Sequence, residues 1–345
     1  MKRNRAIMLA LFGVFALEAH CTDTAPLKLV TTYEFPSDVK GRFDHLVVDV
    51  QGRRLFTAAM EDKSVDVFQV DSGKLIYTIQ GIEKPHGLLY REDINRLYVT
   101  DGEAGDLKIF DGKTYKLLMS VKLLMGADGI GYDPATKYLY VVNGGKDAKV
   151  SYSMISVIDS TSGKKLADIK VDGDTLEALA LEKSSPRMYV NNRGKNQVEI
   201  IDRNTHRVLA SWPVTLGTGN DPIALDEANH RLYIACRSGQ IVVFDTGTGK
   251  ELQALAIGPS GKAGGEWVDD LVFDPKSKRL YAPCGGTATV DVYEEIDPDH
   301  YRSLGKVASG LLGKTGRLAP ELNRYFVTVP QFEKKNAEVL VYEVQ

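Results

Sequence analysis

Cysteine and tryptophan are scarce in this chain, and no long apolar run follows its first twenty residues. Only three cysteines and two tryptophans occur among 345 residues, and no CxxC, HExxH or zinc-finger spacing is present. The usual cysteine-based zinc domains and the metalloprotease helix are therefore excluded. Without further runs of about 20 apolar residues, a multi-span membrane protein is excluded as well.

The chain also has no excess of positive charge. Its 43 basic residues stand against 46 acidic ones, a net charge of -3, whereas a polyanion-binding face needs clustered Lys and Arg that displace counterions. This balance argues against nucleic acid as a partner. Apolar residues make up 43% and charged residues 26%, which are ordinary values for a globular protein with ample core.

The first twenty residues have the pattern of a secretory signal peptide. Three basic residues, the last of them Arg5, precede an apolar run from residue 6 to residue 17, and Ala16 and Ala19 offer cleavage points before Cys21. Such a run rises only about 18 Å as a helix, too short to span a bilayer. We expect residues 1–20 to be a signal peptide and the mature protein to be periplasmic or secreted, without a stable membrane span.

One short pattern recurs seven times: a basic or polar residue, an apolar residue, and an aromatic residue followed by β-formers. Successive copies are 42, 42, 49, 44, 48 and 45 residues apart, which is the period of a repeat architecture. Each copy lies among further short β-rich segments with Asp- and Gly-containing turns, giving four strands per unit. The aromatic residues of the seven copies are Phe56, Tyr98, Tyr140, Tyr189, Tyr233, Tyr281 and Phe326.

Seven units of four antiparallel strands predict an all-β fold, a seven-bladed β-propeller. The last unit ends after three strands, whereas residues 27 to 35 form an orphan strand before the first unit. Lending this N-terminal strand to the last blade completes it and removes an unpaired edge. We therefore predict a single propeller domain over residues 27–345. Cys236 and Cys284 occupy equivalent positions in neighbouring units, too far apart for a disulfide, and are expected to be buried core residues.

Three of the copies carry a family resemblance. LYVTD at residues 97–101, LYVVN at 139–143 and MYVNN at 188–192 resemble the YVTN repeat, and the chain is similar to the YVTN-repeat or YncE-type propellers over about residues 27–345. The resemblance implies seven blades in an exported bacterial or archaeal protein. Members include surface-layer proteins and periplasmic propellers, one of them associated with single-stranded DNA, so the family implies no single activity.

The candidate site follows from the geometry of a blade. The start of an innermost strand and the end of the second strand lie on one face of the disc, around the axis. The second strands end near Arg193 and Arg237. The innermost-strand starts carry, in order, Asp44 and His45, His86, Asp128, Glu177, Asn220 and Asp221, Asp269 and Asp270, and Arg317. The sequence therefore predicts a charged central funnel.

Two kinds of chemistry suit these residue types. A divalent metal, Zn, Mn or Ca, would be held by His45, His86, Asp128, Glu177 and Asp269. Without a metal, an imidazole beside a carboxylate is a general acid/base pair, which makes His45, His86 and Glu177 the catalytic candidates. The arginines either counter the carboxylates or clamp an anion. The predicted ligand-binding residues are Asp44, Asp128, Arg193, Asp221, Arg237, Asp269 and Arg317.

Each of these residues also has a purely structural interpretation, because the imidazoles could bond neighbouring blades and Asp128 or Glu177 could cap turns. The function we favour is an exported, monomeric propeller that binds a small molecule or a protein partner in its funnel. The alternative is a metal-assisted or His/carboxylate hydrolase or lyase acting on a lactone or a sugar-acid-like anion. The residue spacing does not choose between them.

Overall fold

All the strands of the described residues belong to four-stranded antiparallel sheets. The computed structural model describes residues 25–258 and 268–345. Within these residues the chain forms 28 strands in seven sheets, which confirms the seven-bladed, all-β prediction. The predicted signal peptide and Cys21 lie outside the described residues.

The strands are numbered β1 to β28 in chain order, and each blade runs from an innermost to an outermost strand. Blade 1 contains β2 (Phe43–Asp49), β3 (Arg54–Ala59), β4 (Ser64–Gln69) and β5 (Leu75–Ile79). Blade 2 contains β6 (Pro85–Arg91), β7 (Arg96–Asp101), β8 (Asp106–Asp111) and β9 (Leu117–Lys122). Blades 3 and 4 contain β10 (Ile130–Asp133), β11 (Tyr138–Gly144), β12 (Tyr152–Asp159), β13 (Lys165–Asp172) and β14 (Leu176–Leu181), β15 (Arg187–Asn192), β16 (Gln197–Asp202), β17 (Arg207–Pro213).

The remaining three blades follow the same order. Blades 5 and 6 contain β18 (Asn220–Asp226), β19 (Arg231–Cys236), β20 (Gln240–Asp245), β21 (Glu251–Ala256) and β22 (Val272–Asp274), β23 (Arg279–Cys284), β24 (Thr289–Asp297), β25 (His300–Ala308). Blade 7 contains β26 (Thr315–Ala319), β27 (Arg324–Val329), β28 (Glu338–Val344) and, outermost, β1 (Leu27–Glu34). Single 3-10 turns follow β6, β15 and β26 at Glu92–Ile94, Arg193–Lys195 and Pro320–Leu322.

The N-terminal strand closes the ring as predicted. β1 pairs antiparallel with β28, placing Leu27 opposite Val344 and Glu34 opposite Glu338. The seven innermost strands contact one another in sequence around the axis, and β26 contacts β2. Blade 7 is therefore built from both ends of the described chain, so that β28 has no unpaired edge.

The core lies between the blades. The described residues form seven apolar clusters, one at each junction of neighbouring blades. Tyr98 of blade 2, for example, packs with Leu139 and Val141 of blade 3, and its hydroxyl donates a hydrogen bond to the carbonyl of Ser160. All seven repeat aromatics are at most 1% exposed. Burying such a side chain contributes about 1.5–3 kcal/mol, so the repeated aromatic is what makes one blade pack on the next.

The two cysteines of the described chain are core residues. Cys236 and Cys284 end equivalent strands, β19 and β23, and both are buried free thiols, as the sequence predicted. Helices play little part in the described residues, and none of them is long and apolar enough to cross a membrane.

Candidate ligand-binding funnel

One end of the propeller axis opens into a cavity of about 330 Å³. All seven blades supply its lining, from Asp44 and His45 in blade 1 to Lys314, which directly precedes blade 7. Nine of the ten predicted site residues line it: Asp44, His45, His86, Asp128, Glu177, Arg193, Asp221, Arg237 and Asp269. The structure thus brings these side chains together on the axis, and their binding and catalytic roles remain predictions.

Arg317 does not join them. It is the exposed third residue of β26, opposite Phe326, and Lys314 lines the cavity in its place. The repeat spacing gives the reason: in blades 1 to 6 a cavity residue precedes the repeat aromatic by 12 residues, and the twelfth residue before Phe326 is Lys314. Arg317 was predicted from the start of the segment RLAPEL and not from this spacing. It is three residues beyond the position that lines the cavity.

In four blades the cavity residue sits where the pairing of the innermost strand is interrupted. The register of that strand against its neighbour shifts beyond the first residue of β2, β6, β14 and β18. A bulge bends the strand and redirects its side chains, and bulges are common beside binding sites. The residues within these irregular stretches include Asp44, His45, His86, Glu177 and Asp221.

Polar residues of the repeat hold the bulged backbone in place. The hydroxyl of Thr100, in LYVTD, accepts a hydrogen bond of 2.7 Å from the N–H of Gly87. The amide of Asn191, in MYVNN, reaches into the next blade and donates 2.8 Å to the carbonyl of Asp221. Both side chains are fully buried. They satisfy backbone groups that the interrupted strand pairing leaves free.

The last residue of the repeat fixes the loop before the next bulge. The Asp101 carboxylate accepts hydrogen bonds from the backbone N–H groups of Glu83 and Lys84, at 2.8 and 2.9 Å. Asn143 accepts one of 3.2 Å from the N–H of Leu124. These loops lead directly to His86 and Asp128. The last two residues of the repeat, Thr or Asn and then Asn or Asp, therefore help to place the side chains that line the funnel.

On the side of the funnel formed by blades 4 to 7, carboxylates alternate with permanent cations. The Arg193 guanidinium lies 2.7 Å from both the Glu177 and the Asp221 carboxylates. The Arg237 guanidinium lies 2.6 Å from Asp221 and 3.1 Å from Asp269, which also contacts the Lys314 ammonium. Of the two roles considered for the arginines, the structure therefore shows the first: they counter the hub carboxylates.

Two carboxylates on this side nevertheless bind protons strongly. Burial raises the pKa of Glu177 well above its ordinary value, and the nearby Asp221 and Asp128 carboxylates raise it further. Burial raises the pKa of Asp221 to about 6, with Asp269 adding to the shift and the two arginines opposing it. The three fixed cations on this side match its three carboxylates in number, so burial is the main reason why these two groups hold protons.

On the side formed by blades 6, 1, 2 and 3, carboxylates alternate with imidazoles. Nδ1 of His45 lies 2.9 Å from Oδ1 of Asp270, and its Nε2 lies 3.7 Å from Oδ1 of Asp44. Oδ2 of Asp44 lies 2.5 Å from Nδ1 of His86, which is 4.0 Å from Oδ2 of Asp128. Among the described residues, no hydrogen-bond partner of the Asp128 carboxylate is found.

The imidazoles take up positive charge from this arrangement. Burial opposes their protonation, but facing carboxylates outweigh it: Asp270 and Asp44 raise the pKa of His45, and Asp128 and Asp44 raise that of His86. Burial also opposes ionisation of Asp44, yet Lys314 and the two imidazoles hold the pKa of its carboxyl well below its usual range.

We define the hub cluster as the ionisable groups of these two sides together with Lys84 on the cavity wall. It contains six carboxylates against four permanent cations, and the rest of the cavity lining adds two cations, Arg42 and Lys146, and two carboxylates, Asp147 and Asp174. The carboxylates are Asp44, Asp128, Glu177, Asp221, Asp269 and Asp270; the permanent cations are Lys84, Arg193, Arg237 and Lys314; the imidazoles are His45 and His86. The permanent cations alone leave two negative charges, which the imidazoles balance when both are protonated.

A group with metal-ligating geometry lies on the imidazole side. Asp44, His86 and Asp128 each place one donor atom within 4.8 Å of the others. Of the five metal ligands predicted from the sequence, only His86 and Asp128 belong to this group. His45, Glu177 and Asp269 do not, because they face Asp270, Arg193 and Lys314 instead.

Comparison with known proteins agrees with the fold. No protein-family model matches the chain. It is 26% identical over 159 residues to the seven-bladed β-propeller protein Rv1057 of Mycobacterium tuberculosis, covering 44% of this chain and 38% of that one. It is 24% identical over 246 residues to YncE of Salmonella typhimurium, covering 69% of this chain and 64% of YncE. The matched part is thus less than two thirds of each relative.

With its seven blades, the chain is thus similar to the YncE-type β-propellers. The likeness to these propellers suggests a scaffold for binding a ligand or a partner, and the relatives' names do not favour the hydrolase or lyase alternative. Solved structures agree on the fold alone. A chain of Kuenenia stuttgartiensis hydrazine synthase has a TM-score of 0.75 at 17% identity, covering 90% of this chain and 98% of that one. A chain of the mitotic checkpoint complex has a TM-score of 0.71 at 14% identity, covering 99% of both.

Three contributors to the hub cluster were not among the predicted site residues. Lys314 lines the funnel, and Lys84 lies beside the His86 bulge. The Asp270 carboxylate contacts Nδ1 of His45. The constant 12-residue distance to the repeat aromatic identifies Lys314 from sequence alone. Asp270 adjoins the repeated position beside Asp269, as His45 does beside Asp44, whereas Lys84 stands off that position and has no such signal.

Proposed function

We propose that the chain is an exported scaffold whose funnel binds a small, positively charged ligand. The observation that carries this proposal is the charge balance of the hub cluster, six carboxylates against four permanent cations. A buried excess of negative charge is costly unless a proton or another cation offsets it. In the free protein the two protonated imidazoles offset this charge; a positively charged ligand at Asp128, whose carboxylate has no hydrogen-bond partner among the described residues, would take over that role.

The position of the ligand follows from the contacts of the fixed cations. Arg193 and Arg237 each contact two carboxylates and Lys314 contacts one, so their donors already face anions. The Asp128 carboxylate, with 29% of its side chain exposed, faces the cavity 4.0 Å from an imidazole. We therefore assign the charged end of the ligand to Asp128 and its neighbours on blades 1 to 3.

Export belongs to the same proposal. The basic residues, the apolar run and the small residues of the first twenty positions support a signal peptide, which would place the funnel in the periplasm or outside the cell. Expression of the full chain followed by N-terminal sequencing of the mature protein tests this part. A mature N-terminus near residue 20 in the exported fraction is expected, and an intact Met1 in the cytosol would contradict it.

Ligand charge is tested with two small probes of opposite sign. Isothermal titration calorimetry of the full chain with putrescine, a diamine, and with succinate, a dianion, is expected to show binding of the diamine alone. Asp128→Asn is expected to weaken diamine binding at least tenfold, which corresponds to about 1.4 kcal/mol. Asp297→Asn removes an exposed carboxylate far from the funnel and is expected to leave binding unchanged.

Two outcomes would contradict the proposal. Succinate binding in the absence of diamine binding would show that the funnel selects anions. Diamine binding that Asp128→Asn and Asp297→Asn affect equally would show surface attraction, with no role for the funnel.

A further inference from the structure

We infer that Asp44, His86 and Asp128 bind a divalent transition-metal ion at the wall of the funnel. This inference rests on the proposed function and names the positively charged ligand of that same site. The three residues occupy the same repeat position in three consecutive blades, 12 residues before Phe56, Tyr98 and Tyr140. They converge because successive blades are related by a rotation about the propeller axis.

The donor atoms are close enough for one ion. Nδ1 of His86 lies 2.5 Å from Oδ2 of Asp44 and 4.0 Å from Oδ2 of Asp128, and all three donors lie within 4.8 Å of one another. Zinc ligands at about 2.0–2.2 Å in tetrahedral geometry are separated by about 3.3–3.6 Å. The two observed separations bracket that value, so a small side-chain movement suffices.

Supporting contacts hold the ligand set, as outer contacts do in metal sites. The Asp270 carboxylate accepts a hydrogen bond of 2.9 Å from the N–H of Gly316 and contacts His45, whose other nitrogen faces Asp44 at 3.7 Å. On the other side, Nε2 of His86 packs so closely on Gly102 that a Cβ there would lie 2.8 Å away. The imidazole is thereby fixed with Nδ1 directed at the two carboxylates.

The group also has an open side. His86 and Asp44 are 8% and 6% exposed, whereas the Asp128 side chain is 29% exposed to the cavity. Three protein ligands facing a cavity leave a position for water or a small molecule, as in metal sites that bind an exchangeable ligand. A dication bound to Nδ1 of His86 would take the place of the imidazole's proton there, because a metal ligand must be the neutral imidazole.

The donor types select the metal. One imidazole nitrogen with two carboxylates suits zinc or manganese, whereas calcium and magnesium prefer oxygen ligands alone. Calcium, which was among the metals considered from the sequence, therefore fits this group less well than zinc or manganese.

Zinc binding to the full, untagged chain is the test. After treatment with chelator and dialysis, isothermal titration with ZnCl2 is expected to give one site per chain. His86→Gln and Asp128→Asn are each expected to weaken it by more than about 100-fold, because loss of even an outer-shell partner costs about 10- to 100-fold. His300→Gln is the matched control, since His300 forms a surface pair with Asp297 at 2.9 Å; it is expected to bind zinc like the wild type. Circular dichroism establishes that each variant is folded.

The outcomes separate this inference from the proposed function. Zinc affinity that is unchanged in His86→Gln overturns the inference, because the ion then binds elsewhere. If zinc does not bind while putrescine binding depends on Asp128 and not on His86, the metal inference fails and the cationic-ligand proposal stands. If neither zinc nor putrescine binds, both fail.

Discussion

Nδ1 of His86 lies 2.5 Å from Oδ2 of Asp44, although the two residues belong to different blades and are 42 positions apart in the chain. That separation is the repeat length between blades 1 and 2. Blades 1 and 2 thus meet at the axis through side chains at the same repeat position. Further around the funnel, Arg193 and Arg237 connect the corresponding carboxylates of blades 4 to 6. The hub is a polar counterpart of the apolar clusters that join the blades further out.

Asp66 provides a test of buried charge away from the funnel. Burial raises the pKa of its carboxyl from 3.8 to about 6, and one carboxylate oxygen has no hydrogen-bond partner in the described part of the chain. The folded state therefore holds this proton more tightly than the unfolded chain. On account of this group, the free energy of unfolding falls as the pH rises from 3.8 to about 6.

Asp66→Asn is accordingly expected to stabilise the protein at about pH 8 by about 1–2 kcal/mol, and to lose most of this advantage at about pH 4.5. Urea unfolding at the two pH values measures the difference. Asp111→Asn is the control of opposite sign, because backbone N–H groups of a turn lower the pKa of Asp111. A stabilisation of Asp66→Asn that is equal at both pH values would rule out the charge as its cause.

Arg193→Gln tests the ion pairs of blades 4 and 5. The substitution leaves Glu177 and Asp221 without a guanidinium at 2.7 Å, and because Arg193 is 28% exposed the expected loss is about 1–3 kcal/mol, below that of a fully buried pair. The double variant with Glu177→Gln should recover part of the loss in the same urea titration. Lys195→Gln, which removes a pair with the largely exposed Asp172, should change stability by less than about 0.5 kcal/mol. A larger loss in Lys195→Gln than in Arg193→Gln would refute this ranking.

Thr100→Val tests whether the repeat threonine holds the His86 bulge. Valine has nearly the same shape but does not accept the hydrogen bond from the buried N–H of Gly87, and leaving that donor unpaired costs about 1–3 kcal/mol. Thermal or urea unfolding measures the loss. Thr31→Val, on the exposed face of β1, is the control and should have almost no effect. Equal stability of Thr100→Val and the wild type would mean that the hydroxyl is dispensable.

The fold could be predicted from the sequence because every blade packs on its neighbour through an aromatic residue at the same repeat position. An aromatic residue recurs about every 45 positions, and each copy, from Phe56 to Phe326, is buried between blades. The orphan strand before blade 1 and the missing strand of blade 7 likewise predict β1 closing the ring. Such features are repetitive and local, so they are visible without coordinates.

The site could be predicted only in part. The hub position is repeated, and six of the predicted residues occupy it; His45 follows it directly, and Arg193 and Arg237 come from the ends of second strands. Arg317 was misplaced because the innermost strands begin irregularly, at bulges or short loops, so that apolar strand patterns do not fix their first residue. The partner of each charge was not predictable, since His45 and Asp270 are 225 positions apart and no repeat relates them.

Crystals of the full chain equilibrated with ZnCl2 and measured at the zinc absorption edge would show where a positively charged ligand sits. We expect one anomalous peak in the funnel, about 2.0–2.2 Å from donor atoms of Asp44, His86 and Asp128, with the fold otherwise unchanged. A funnel without such a peak, or a peak at surface pairs such as His300 and Asp297 alone, would contradict the assignment of these carboxylates to a cation.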